Sequence, residues 1–110
     1  MYDQKLVEVI DHFQLTNIGL AVSPDFSIPK NGKWNDYHTE VKVITPDGNE
    51  SIHKVNVGSW HFNILDPEVS IDKRWRVILI FPESNKEQIP IGSEIYASKQ
   101  DYTNITGEKV

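Results

Sequence analysis

No cysteine occurs among the 110 residues, which excludes disulfides, a thiolate metal site and a cysteine nucleophile. The opening Met1-Tyr2-Asp3-Gln4-Lys5 has neither the basic region nor the apolar stretch of a secretory signal. No apolar run approaches the ~20 residues that a membrane helix needs. These absences point to a reducing cytoplasm and to no membrane association. The phosphate loop G-x-x-x-x-G-K-[ST], the nucleophile elbow G-x-S-x-G and the H-x-x-x-H metal spacing are all missing. The sequence therefore carries no cofactor or metal signature and no catalytic motif, and the expectation is a protein that is not an enzyme. Cations are scarce as well: 11 Lys and Arg against 16 Asp and Glu leave a formal charge of −5. Nucleic-acid backbones call for a concentrated Lys/Arg face. The balance makes nucleic acid an unlikely ligand and suits a basic protein partner.

What the chain does have is alternation. Tyr37 to Thr45, Ile52 to Val57, Trp60 to Ile64 and Trp75 to Phe81 place apolar and polar residues in turn, and turn residues close each run, as in half-buried strands. Ile18, Leu20 and Val22 alternate with the small Gly19, Ala21 and Ser23. Leu6 to Phe13 fits a strand and a helix, with the strand preferred because Val7 and Val9 alternate. Val77-Ile78-Leu79-Ile80-Phe81 is apolar on both faces, the pattern of a central strand covered from both sides. Thr45-Pro46-Asp47-Gly48-Asn49 reads as a hairpin, since proline fixes one turn dihedral and Asp-Gly tolerates positive φ. Gly58 is expected to bend the chain, Pro24 and Pro29 to bracket a long loop, and Pro90 to mark an edge or a strand start. From about residue 98 the chain becomes polar and is expected to fray. The whole forms one domain spanning 1–110, all-β: a small antiparallel Greek-key barrel of six to eight strands, or a strongly bent sheet.

Phe13-Gln14-Leu15-Thr16-Asn17-Ile18-Gly19, followed by Leu20-Ala21-Val22, resembles the entry into the domain II barrel of translational GTPases such as elongation factor Tu. Phe13, Leu15 and Gly19 match that pattern, whereas Asn17 stands in place of a glycine and Ile18 in place of a basic residue. The resemblance implies a small Greek-key barrel. A translation-factor-like role, binding RNA or a ribosomal component through a basic stripe near Lys73, Arg74 and Arg76, is the alternative function it implies.

Among candidate functional residues, His12, His38, His53 and His61 fall on separate runs, with no ligand spacing on any one element. A catalytic role for His53 or His61 would require a concave pocket holding one of them beside a carboxylate. Trp60 and Trp75 head strands and are assigned to the core. Trp34 lies in an irregular stretch with Asp36 and Tyr37, the mixture of rigid aromatic and acidic groups found at protein interfaces. Asp66, Glu68 and Asp72 put three carboxylates in one short segment. In its gross properties the chain is similar to the small acidic immunity proteins that bacteria pair with secreted toxins. The function expected is occlusion of a basic, toxin-like partner, with Trp34 and Tyr37 as anchors and Asp36, Asp66, Glu68 and Asp72 facing its lysines and arginines.

Overall fold

The computed structural model describes residues 2–27, 36–61 and 75–108. Seven strands form one antiparallel sheet: β1 (Gln4–Glu8), β2 (Asp11–Leu15), β3 (Gly19–Ser27), β4 (Tyr37–Ile44), β5 (Glu50–His61), β6 (Trp75–Phe81) and β7 (Glu94–Ala97). Their order across the sheet is β1-β7-β4-β5-β6-β3-β2. A helix, α1 (Lys99–Thr106), follows the last strand. The fold is thus all-β and barrel-like, as the alternating runs imply.

Two consecutive residues explain how the sheet curls. The Val9 N–H donates to the Ser93 carbonyl at 2.7 Å, beside β7, while the Ile10 N–H donates to the Ser23 carbonyl at 2.9 Å, on β3. The two outermost strands, β1 and β2, are therefore halves of one bent segment that bonds to opposite edges of the sheet. A single chain segment thereby draws those edges together, which blunts the exposed edges an open sheet would present.

Inside the curl, the alternating valines converge. Leu20 and Val22 of β3, Val41 and Val43 of β4, Val55 and Val57 of β5, Val77, Leu79 and Phe81 of β6, and Ile95 of β7 are almost fully buried together. Ile89, from the turn before β7, and Ile105, from α1, complete the same cluster at 0 % exposure. Burial of each such side chain stabilises the fold by roughly 1.5–3 kcal/mol before entropy is counted.

The turns obey their sequence chemistry. At the β4–β5 hairpin the Gly48 N–H donates to the Thr45 carbonyl at 2.8 Å, with Gly48 at φ +91°. The β2–β3 turn places Asn17 at φ +62°, a left-handed conformation that asparagine accepts more readily than most residues. Gly19 has a second constraint. At φ +137°, a Cβ there would lie 2.5 Å from the Phe81 carbonyl oxygen and 2.8 Å from the Pro82 Cα.

Several expectations need correction. Leu6 to Phe13 is neither one strand nor a helix, because the Val9–Ile10 step divides it between β1 and β2. β5 runs unbroken through Gly58, since its pairing with Ile78 keeps that residue in the ladder. β3 likewise passes Pro24, which lies where the register with β6 shifts between Val22 and Phe26, an irregularity that accommodates a residue lacking an N–H. The polar tail expected from about residue 98 is largely helix. Ser98 caps it by accepting the Asp101 N–H at 3.2 Å, Gly107 ends it in the left-handed region at φ +76°, and Ile105 anchors it in the core. Ser-x-x-Asp before a lone buried isoleucine is too short a pattern to mark such a helix from sequence. Among the described residues no helix is long and apolar enough to cross a membrane.

Candidate functional site

The outer face of β2, β3 and β6 differs from the usual solvated side of a small sheet. Ile78 and Ile80 alternate with the core residues of β6 and point outward, yet they are only 9 % and 4 % exposed. With Ala21 they form a second, small apolar cluster against which Leu15 packs. Phe13 and Ile18 on β2 and its turn remain 52 % and 46 % exposed. A groove of about 400 Å³ is lined by Phe13, Leu15, Ala21, Asp25, Ile78 and Ile80, among others. An adjoining cleft of about 250 Å³ shares Ile80 and is bordered by Ile18, Asp36, Tyr37, His38 and Asn56. Contiguous apolar surface of this kind marks binding sites, whereas isolated exposed side chains do not.

Carboxylates outnumber cations around this face. Between Leu6 and Ser27, the stretch that builds β2 and β3, the sequence holds Glu8, Asp11 and Asp25 and no Lys or Arg. The cation next to it is Arg76 of β6, whose Nε meets Asp25 Oδ2 at 3.0 Å and whose Nη2 meets Oδ1 at 3.3 Å. That fork holds the Arg76 guanidinium against the groove wall. His38 and Asn56 are hydrogen-bonded to each other on the cleft's border.

Of the six residues expected to meet a partner, two are described. Asp36 is exposed and borders the cleft; its Oδ1 accepts the Ser59 N–H at 2.9 Å and lies 3.4 Å from the Ser59 hydroxyl. Tyr37 also borders it, but its hydroxyl is used within the fold. It donates to Asp101 Oδ1 at 3.1 Å, while Thr39 Oγ1 donates to Asp101 Oδ2 at 2.7 Å. Asp101 thus ties α1 to β4. Burial, and then the adjacent Asp101 carboxylate, push the Tyr37 pKa well above the ordinary tyrosine range. Trp34, Asp66, Glu68 and Asp72 lie outside the described residues, as do Lys73, Arg74 and the side chains of Trp60, His61 and Trp75. The strand termini that bound segments 28–35 and 62–74 share one end of the sheet. Ser27 pairs with Arg76, His61 with Trp75, and Asp36 binds Ser59.

A second recess lies at the opposite end of β4 and β5. About 490 Å³ in volume, it is lined by Thr45, Asp47, Ser51, His53, Glu87 and Gln88, among others. Here one of the singled-out histidines does share a pocket with carboxylates. His53 Nε2 lies 2.7 Å from Ser51 Oγ, and Nδ1 lies 2.7 Å from the buried Ser84 Oγ. Its ring meets Phe81 edge to face. Partial burial lowers the His53 pKa, which favours the neutral imidazole. Asp47 is held below the usual carboxylate range, chiefly by the Thr45 hydroxyl. His12 is separate: its Nδ1 donates to the Ile89 carbonyl at 3.0 Å. Among the described residues no group of three or more His, Asp or Glu is arranged to hold a metal ion.

Sequence reasoning missed Phe13, Ile18 and Ile80 as surface-forming residues. The two-sided apolar pattern of β6 is the signal for Ile80, and it fits a covering layer equally well. It also missed Ser51, whose i, i+2 spacing from His53 places both on one side of β5. Comparison with protein-family models, with curated proteins and with solved structures finds no match for this chain.

Proposed function

We propose that the chain is a cytoplasmic binding protein of the immunity type, which neutralises a basic, toxin-like protein by covering that protein's active site. The observation that supports the reading is the apolar groove on the outer sheet face, whose β2 and β3 wall comes from a stretch with carboxylates and no Lys or Arg and whose β6 wall carries one cation, Arg76, paired with Asp25. An apolar side chain of the partner enters the groove beside Phe13 and Ile80. The partner's lysines and arginines then approach Asp11 and Asp36. Apolar burial sets how slowly the complex dissociates, and the acidic surroundings set how fast it forms. Trp34, Asp66, Glu68 and Asp72 remain part of the proposed partner contact on the strength of their residue types alone.

The test is a pull-down with tagged chain from lysate of its source organism, washed at rising salt and read by mass spectrometry. Retention of one basic protein at high salt, forming a 1:1 complex with purified chain and losing its own activity in that complex, supports the proposal. Recovery of RNA or ribosomal proteins that are lost at moderate salt would instead favour the translation-factor-like role.

A further inference from the structure

The recess at the β4–β5 hairpin has a feature that occlusion of a partner does not use. Ser51, His53 and Ser84 form an unbroken hydrogen-bonded line, with both links at 2.7 Å. Its members differ in environment. Ser51 is exposed at the mouth, His53 is half-buried, and Ser84 is 8 % exposed. A buried hydroxyl holding the inner ring nitrogen, a neutral imidazole and an accessible hydroxyl on the outer nitrogen are the parts of an activated nucleophile with its base and orienting group.

We propose that Ser51 is an acyl-accepting nucleophile, with His53 as its general base and Ser84 as the positioning residue. Ser84 Oγ accepts from Nδ1–H, leaving the lone pair on Nε2 to receive the Ser51 proton. Ser51 Oγ attacks the carbonyl carbon of an ester as its proton passes to Nε2. The carbon–oxygen bond to the leaving group then breaks, and the proton on Nε2 goes to the departing alkoxide. The products are an alcohol and an acyl-Ser51 ester. Water, deprotonated by the same nitrogen, releases the acid and restores the Ser51 hydroxyl. Gln88 borders the recess, and its Oε1 accepts the Asn85 N–H at 3.0 Å. Its side-chain N–H₂ group remains as a donor for the oxyanion. With Asp47 and Glu87 on the same walls, the substrates are neutral or cationic esters; anionic ones are repelled.

Full-length chain is exposed to p-nitrophenyl acetate, quenched in acid, and mapped by peptide mass spectrometry. The expected result is an acetyl ester on Ser51 that forms about 100-fold or more faster than in His53→Gln, in line with the usual worth of a general base. It is absent in Ser51→Ala, a change at an exposed position that leaves the fold intact. Ser84→Ala lowers the acetylation rate, and Ser84→Thr, which restores the hydroxyl, recovers it. The proposal is overturned if Ser51 carries no acetyl group. It is equally overturned if folded His53→Gln is acetylated as fast as the parent, which would mean that Ser51 merely accepts from Nε2–H.

Discussion

From Val77 to Phe81 the two faces of β6 are equally apolar in sequence and are covered differently. On the inner face Val77, Leu79 and Phe81 are fully buried in a cluster drawing on all the strands but β2, the turn before β7 and α1. On the outer face Ile78 and Ile80 are also largely shielded, but their cluster contains only Ala21 besides, with Leu15 packed against it. Alternation therefore identifies which side chains share a face, while the number of elements that reach a face decides how much of the fold it holds together.

Substitutions on the two faces sharpen that contrast. The largest effect is expected inside: Phe81→Ala should cost about 3–5 kcal/mol in urea denaturation, the usual price of deleting a large core side chain. Gly19→Ala should approach it at about 3 kcal/mol. Its Cβ would collide with the Phe81 and Pro82 backbone, which has little freedom to move, at a φ that L-residues rarely adopt. On the outer face Ile80→Ala should cost about 1–2 kcal/mol, because fewer neighbours lose contact. A loss as large as that of Phe81→Ala would mean that the outer cluster is a second core and would end the comparison.

The Asp101 tie between α1 and β4 should give a smaller effect. Asp101→Asn weakens three charge-assisted hydrogen bonds, from Tyr37, Thr39 and Ser98, and should cost about 1 kcal/mol. It also has a pH signature. Because the folded chain holds the Tyr37 proton beyond the ordinary tyrosine value, the unfolded chain releases it first. The contribution is fully present below that value and is lost as pH rises above it. Ultraviolet titration of the folded protein should show one tyrosine ionising late, and Asp101→Asn should move it earlier.

Much of the fold was legible because one face of each strand must be apolar and the Pro-Asp-Gly turn permits few conformations. The Val9–Ile10 step was not, since nothing local to two apolar residues reveals that their amides bond to opposite edges of a sheet. α1 was hidden for a related reason: its stability comes from Ile105 in the core and from Asp101 reaching β4, both long-range contacts. The candidate surface was legible only in part. Asp36 could be singled out from its composition and neighbours, whereas the exposure of Phe13 depends on which elements cross the outer face, and the pairing of His53 with Ser84 spans 31 positions of chain.

The smallest effect on stability should accompany the largest effect on binding. Phe13→Asp and Ile52→Asp place the same charge at positions of similar exposure, 52 % and 48 %, and each should change folding stability by no more than about 0.5 kcal/mol. The decisive measurement is calorimetric titration of both variants with the purified basic partner. The account predicts that Phe13→Asp abolishes binding while Ile52→Asp binds as the parent does; equal binding by both variants, or loss in Ile52→Asp alone, would contradict the assignment of the outer groove as the binding surface.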